Sequence, residues 1–238
     1  MAKKILLVSN STLHGGSYLQ HCKKNIKTLL KDCKKIAFIP YARPGGITHD
    51  EYTALARKTF NEMGFELRGV HEDNNPIQII LEADAIFTGG GNTFVLLCML
   101  YKYNLLEVIR PEINRGKPYI GSSAGSNVAG ATIQTTNDMP IMYPPSFNAL
   151  CLVPFILNPH YLDPDPNSKH MGETRQTRIN EYHSYNDNIV VGLREGCMLE
   201  INDKTVVLKG VTNARVFQKN KQPVEYKPED QLDFLLKK

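Results

Sequence analysis

Pro118-Tyr119-Ile120-Gly121 runs directly into Ser122-Ser123-Ala124-Gly125, and this stretch indicates both the fold and the chemistry. Its first four residues predict a short buried β-strand. The small residues on both sides of Ser123 permit the sharp strand-to-helix turn that a G-x-S-x-G sequence needs. In such a turn the hydroxyl stands exposed at the carboxyl end of the sheet, beside a helix N-terminus. Ser123 is therefore the candidate nucleophile, although a plain turn with helix-capping serines fits the same residues.

A second predicted strand, Ala85–Thr88, runs in the same way into Gly89-Gly90-Gly91-Asn92. Three successive glycines free the backbone to present N–H groups towards a ligand. If this loop lies beside Ser123, it supplies donors to a developing oxyanion, and Asn92 is expected to contact the substrate. A phosphate-binding loop is disfavoured because the chain lacks the glycine motifs of such loops, whereas a tight structural turn stays open. The predicted oxyanion donors are the N–H groups of Gly90 or Gly91 together with that of Ala124.

Strand and helix patterns alternate through the first two thirds of the chain. The predicted strands are Ile5–Val8, Ile36–Ile39, Phe65–Val70, Ala85–Thr88 and Pro118–Gly121, and the predicted helices include Thr93–Tyr103 and Leu105–Asn114. A capping box at Thr48 and Glu51 predicts the start of another helix. This alternation indicates an α/β fold with a mostly parallel sheet and helices on both faces. Short strands around a hairpin turn at Asn202-Asp203-Lys204 predict extra antiparallel strands at one edge near the C-terminus. Residues 1–238 are expected to form a single domain.

A serine nucleophile needs a base, and the base needs an acid that orients it. His160 follows the predicted strand Phe155–Leu157 and is the candidate base, because open α/β sheets place their sites at strand ends. Asp138 and Glu195 are both candidate acids, and the sequence alone does not choose between them. Only a short loop separates Ser123 from Asp138, which argues against an ordinary esterase or lipase. The remaining histidines are predicted to lie at the surface: His14, His21, His49, His71, His170 and His183.

Composition excludes several other classes of protein. The formal net charge is +4, and Lys and Arg are scattered without a basic stripe, so nucleic-acid binding is not expected. The five cysteines are odd in number and include no C-x-x-C pair, which favours reduced thiols in the cytoplasm. The apolar run Ile5–Val8 is too short for a signal peptide or a membrane span. No metal or other cofactor is expected, since no H-E-x-x-H or similar motif occurs. A small peptide is the expected partner, and the chain is expected to be a monomer or a homodimer.

Six stretches follow one another in the order found in one enzyme family. They are Leu7-Val8-Ser9-Asn10-Ser11-Thr12-Leu13, Gly89-Gly90-Gly91-Asn92-Thr93-Phe94, Tyr119-Ile120-Gly121-Ser122-Ser123-Ala124-Gly125, Thr135-Thr136-Asn137-Asp138-Met139-Pro140-Ile141, Asn158-Pro159-His160 and Gly172-Glu173-Thr174-Arg175. On these motifs the chain resembles, nearly end to end, the peptidase E or α-aspartyl dipeptidase family of serine peptidases, family S51. The resemblance implies a fold similar to class I glutamine amidotransferase domains. It also implies cleavage of dipeptides or short peptides that begin with an unblocked aspartate. By position, Ser123 matches the nucleophile, His160 the base, and Asp138 and Glu195 two acids of the family.

Recognition of an aspartate side chain requires a cation. Arg175 and Arg178 lie three residues apart on the predicted helix Glu173–Tyr182 and so share a face. A guanidinium can hold a carboxylate through two parallel hydrogen bonds, and Arg175 is the predicted substrate ligand, although solvent-facing arginines fit the pattern equally well. Two alternatives stay open: a cyanophycinase-like exopeptidase that releases aspartyl dipeptides, and a catalytically silent binding protein on the same fold.

Overall fold

A computed structural model describes residues 2–167, 169 and 171–237. The strands of this part of the chain are β1 Lys4–Val8, β2 Lys35–Ile39, β3 Glu66–Gly69, β4 Ala85–Thr88, β5 Tyr119–Ser122, β6 Ile156–Pro159, β7 Val190–Leu193, β8 Cys197–Asn202, β9 Thr205–Gly210, β10 Ala214–Phe217 and β11 Val224–Tyr226. The α-helices are α1 Lys23–Leu29, α2 His49–Glu62, α3 Pro76–Glu82, α4 Thr93–Lys102, α5 Leu106–Asn114, α6 Ala124–Asn127 and α7 Arg175–Tyr185. Short 3₁₀ turns occupy Gln20–Cys22, Val70–Glu72 and Asp233–Leu236.

The strands form two sheets. The larger has the order β3-β2-β4-β5-β1-β8-β9, in which the first five strands are parallel and β8 is antiparallel to both of its neighbours. The smaller has the order β11-β10-β7-β6, with β6 and β7 parallel. The predicted mostly parallel sheet with antiparallel C-terminal strands is confirmed. These strands do not all join one edge, however, because β7 pairs with β6 while β8 pairs with the free edge of β1.

Helices cover both faces of the larger sheet, as predicted from the alternation. Successive residues of a strand point to opposite faces. Leu7 and Ile86 belong to an apolar cluster with residues of α3, α4 and α5, whereas Leu6 and Phe87 belong to a second cluster with residues of α1 and α2. The parallel strands are therefore buried on both sides, and their carboxyl ends are left as the place where side chains can meet a ligand.

Local capping signals explain where the helices begin. Thr48 and Glu51 form the predicted capping box, in which the N–H of Glu51 donates to the Thr48 hydroxyl and the N–H of Thr48 donates to the Glu51 carboxylate. Helix α7 begins at Arg175 rather than at Glu173, since the hydroxyl of Thr174 accepts a hydrogen bond from the N–H of Thr177. Within the described residues, no helix has both the length and the apolar character needed to cross a membrane.

The prediction that the other histidines lie at the surface is wrong for His183. Its side chain on α7 is buried. The ring Nε2 lies 3.0 Å from the carbonyl oxygen of Asn188, and the ring packs beside Tyr182. Among the remaining histidines, His14 is exposed, three are partly buried (His21, His49 and His71), and His170 lies outside the described residues.

Candidate active site

The turn at Ser123 has the backbone of a strained nucleophile elbow. Ser123 adopts φ 53° and ψ −111°, a conformation that L-residues rarely occupy and that proteins keep mainly at functional sites. A Cβ at Gly125 would overlap the carbonyl of Thr88, and one at Gly121 would lie 2.5 Å from the carbonyl oxygen of Gly125. The small residues around Ser123 are therefore required by the close approach of β5, α6 and β4.

Hydrogen bonds to the end of β1 fix this elbow. The N–H of Ser123 donates to the carbonyl oxygen of Val8 at 3.0 Å. The buried hydroxyl of Ser126 lies 2.7 Å from the same oxygen and 2.8 Å from the carbonyl oxygen of Gly121. Because β1 is the neighbour of β5 in the sheet, these bonds hold the serine at the carboxyl end of two adjacent strands.

Ser123, His160 and Glu195 form a continuous hydrogen-bonded chain. The Ser123 Oγ lies 3.0 Å from His160 Nε2, and His160 Nδ1 lies 2.8 Å from Glu195 Oε1. Since a carboxylate can only accept, Nδ1 carries the proton and donates to Glu195, which leaves Nε2 to accept from the serine hydroxyl. The order nucleophile, base and orienting acid is the arrangement that activates a serine.

Hydrogen bonds through the Ser9 hydroxyl connect the two sheets and position His160. His160 follows β6 and has φ 53°, and its N–H donates to the Ser9 hydroxyl at 3.0 Å. The Ser9 hydroxyl in turn donates to the carbonyl oxygen of Leu193, at the end of β7, at 2.8 Å. Glu195 lies just beyond, and its carbonyl oxygen accepts from the hydroxyl of Thr212. Sequence reasoning missed Ser9 as a positioning residue: it lies in a stretch that resembles the family, but only its contacts reveal what it does.

Asp138 lies near the same site but does not contact the imidazole. Its Oδ2 accepts from the N–H of Thr93 at 2.7 Å, from the Thr93 hydroxyl at 2.6 Å and from the Thr136 hydroxyl at 3.1 Å. Both ring nitrogens of His160 are already used by Ser123 and Glu195, so there is no place for Asp138 in the chain. Of the two candidate acids, the structure brings only Glu195 to the histidine.

The triglycine loop lies against Ser123, as the prediction of oxyanion donors requires. A Cβ at Gly90 would lie 2.9 Å from the Cβ of Ser123. The expectation that Gly90 is a free oxyanion donor needs correction, because its N–H donates to the Tyr52 hydroxyl at 2.9 Å. The N–H groups of Gly91 and Ala124 have no acceptor among the described residues. These two groups are therefore the available donors.

The side chain of Asn92 caps helix α4. Its Oδ1 accepts from the N–H of Val95 at 3.1 Å, and its Nδ2 donates to the carbonyl oxygen of Met139 at 2.9 Å. Both polar groups are thus occupied within the protein, so the structure gives the predicted substrate ligand a structural role.

A cavity of about 240 Å³ opens beside Ser123. The described residues that line it are Thr93, Ser123, Ala124, Asn127, Thr136, Asn137, Asp138, Pro159, His160 and Arg175. Burial lowers the pKa of the Arg175 guanidinium and nearby Arg178 lowers it further, while Asp138 opposes the change. An arginine nevertheless stays charged in proteins. The cavity therefore presents one permanent cation and one carboxylate, and Arg178 is exposed outside its lining.

Several known proteins are similar to this chain in sequence or in fold. The family sequence model of peptidase family S51 matches residues 5–209 of this chain. A probable alpha-aspartyl dipeptidase of Drosophila melanogaster is 47% identical over 240 residues, covering 100% of this chain and 99% of that protein. A peptidase E of Streptomyces coelicolor is 48% identical over 221 residues, covering 93% of this chain and 90% of that protein. The crystal structure of a peptidase from an acI-B1 Actinobacterium has the same fold, with a TM-score of 0.76 and 18% identity over 98% of this chain and 97% of its own. This chain therefore belongs to peptidase family S51.

Proposed function

We propose that this serine peptidase hydrolyses dipeptides and short peptides whose first residue is an unblocked aspartate. The observation that carries the proposal is the hydrogen-bonded chain Ser123–His160–Glu195 at the edge of a cavity that also holds Arg175. The names of the full-length relatives, alpha-aspartyl dipeptidase and peptidase E, support the same substrate class.

The first half of the reaction forms an ester with the enzyme. The Ser123 oxygen attacks the carbonyl carbon of the aspartyl residue while His160 Nε2 takes the hydroxyl proton. The oxyanion that forms accepts hydrogen bonds from the N–H groups of Gly91 and Ala124. Glu195 holds the imidazole in its reactive tautomer and stabilises the imidazolium. His160 then gives its proton to the leaving amine as the peptide bond breaks.

The second half releases aspartate and restores the enzyme. A water molecule gives a proton to His160 Nε2 and attacks the ester carbonyl, and the same two N–H groups hold the second oxyanion. When this intermediate collapses, the proton on His160 returns to the Ser123 oxygen. The strained backbone at Ser123 keeps its oxygen at the strand end in both steps.

The assignment of the nucleophile is tested with purified protein and three peptides. Asp-Leu, Glu-Leu and N-acetyl-Asp-Leu are incubated with the wild type and with the Ser123→Ala variant, and released leucine is measured. We expect rapid cleavage of Asp-Leu alone, and no cleavage by the variant. If the folded wild type cleaves none of them, the proposed activity is wrong, and longer aspartyl polymers become the next substrates to try.

The role of Arg175 is tested by charge removal. Arg175→Ala should lower kcat/KM for Asp-Leu by about 10- to 100-fold, because a charge-assisted hydrogen-bonded pair with the substrate carboxylate is lost. Hydrolysis of Ala-Leu should change little. The matched control is Arg178→Ala, which removes a neighbouring but exposed guanidinium. Unchanged discrimination between Asp-Leu and Ala-Leu in Arg175→Ala would exclude this role.

A cytoplasmic location and a monomeric or homodimeric state complete the proposal. All five cysteines are free thiols, which is typical of a reducing compartment. Cell fractionation with an antibody tests the location, and sedimentation velocity of the purified protein tests the oligomeric state.

A further inference from the structure

The carboxylate of Asp138 has one saturated oxygen and one free oxygen. All three hydrogen bonds that reach it from Thr93 and Thr136 end on Oδ2. Its Oδ1 has no hydrogen-bond partner among the described residues and is not enclosed by protein. The three donors hold the carboxylate in one orientation at the N-terminus of α4, with an unused acceptor on its other side.

Asp138 belongs to the wall of the cavity that contains Ser123. Among the described lining residues, Asp138 is the only carboxylate and Arg175 the only permanent cation. No N···O distance of 4.0 Å or less joins these two side chains, so they do not form an ion pair with each other, although Asp138 raises the pKa of Arg175 through its charge. The cavity thus offers separate positions for one negative and one positive group of a ligand.

An N-terminal aspartyl residue carries the complementary pair of charges. Its α-ammonium is attached to Cα, which is bonded to the carbonyl carbon that Ser123 attacks. A group that binds the ammonium must therefore lie close to Ser123 in space, within the length of one residue. The carbon of its side-chain carboxylate lies two bonds from the same Cα. A cavity of about 240 Å³ has room for one residue of this size.

We propose that Asp138 binds the α-ammonium of the substrate through Oδ1 and so gives the enzyme its requirement for an unblocked N-terminus. This inference rests on the proposed function, and it replaces a role for Asp138 in orienting His160. An ammonium–carboxylate contact is charge-assisted, and acylation of the amine would remove both the charge and two of the three N–H donors. Asp138 is thus a specificity-determining residue, whereas Glu195 orients the base.

The test compares two ligands that differ only at the amine. In the Ser123→Ala background, dissociation constants of Asp-Leu and succinyl-Leu, which lacks the α-amine, are measured by calorimetry with and without Asp138→Asn. We expect the Asp138→Asn change to weaken Asp-Leu binding by about 10- to 100-fold and to change succinyl-Leu binding by less than about threefold. Asn keeps the size of the side chain and an oxygen that can accept from Thr93.

A purely structural role for Asp138 predicts a different result. If Asp138 only holds α4 and its own loop in place, the substitution will weaken both ligands by the same factor, and the proposal is then overturned. The matched control is Asp32→Asn, which removes the same charge from an exposed residue just before β2, at the opposite end of the strands. Failure of the proposed function would give a different result, because the wild-type protein would then not cleave Asp-Leu.

Discussion

Replacing Glu195 with Gln tests whether this residue completes the catalytic chain. The substitution keeps the length of the side chain and an oxygen that can accept from His160 Nδ1, but it removes the charge that stabilises the imidazolium. Two unit charges about 4 Å apart interact by about 1 kcal/mol in water and by about 4 kcal/mol at an effective dielectric constant of about 20. These energies correspond to about fivefold and about a thousandfold in rate. Because the His160 and Glu195 side chains are 43% and 54% exposed, we expect a value between these limits, a loss of about a hundredfold in kcat.

The assay measures kcat and KM for Asp-Leu. The loss should fall on kcat, since Glu195 does not line the cavity beside Ser123, where we propose that the aspartyl residue binds. Glu107→Gln, at a 77% exposed position on α5, is the matched control for the change in charge. A kcat of Glu195→Gln within threefold of the wild type, in a protein with unchanged melting temperature, would refute the assignment of Glu195 as the orienting acid.

Two further predictions concern the triglycine loop. Tyr52→Phe removes the acceptor of the Gly90 N–H, so we expect kcat to fall about tenfold and the free energy of unfolding to fall by about 1–3 kcal/mol. Steady-state kinetics and urea denaturation measure these two quantities, and an unchanged kcat would show that the bond does not position the loop. Gly91→Ala places a Cβ at φ 144° against the carbonyl of Ala42, so we expect at least about a hundredfold loss of kcat and a lower melting temperature. Normal activity of that variant would refute the expectation that a side chain at this position displaces the Gly91 N–H from the oxyanion.

Much of the fold could be predicted from sequence because its signals are local. The alternation of strand and helix patterns, the capping box at Thr48 and the small residues around Ser123 each depend on neighbours a few residues away. Such signals follow from the geometry of strands, helix ends and tight turns. The observed ends of α7 and β6 differ from the predicted ends by one to three residues, because hydrogen bonds at the termini decide where each element stops.

The roles of the two acids illustrate what local signals do not contain. Asp138 and Glu195 both follow the nucleophile in the chain and both lie in polar loops, so sequence order treats them alike. In the structure, Glu195 reaches His160 because β7 pairs with β6, whereas Asp138 is held by Thr93 at the start of α4. The same limit applies to Gly90, whose N–H is engaged by a tyrosine 38 residues earlier.

Local sequence patterns are therefore enough to predict the α/β class, the turn at Ser123, the candidate base His160 and the family resemblance. Tertiary packing sets which acid meets His160, which N–H groups stay free, and how the C-terminal strands divide between two sheets. These choices depend on contacts such as the one from His160 to Ser9, which spans 151 residues of chain. No local pattern encodes such a contact, because it exists only after two separate sheets have packed and brought their strand ends together.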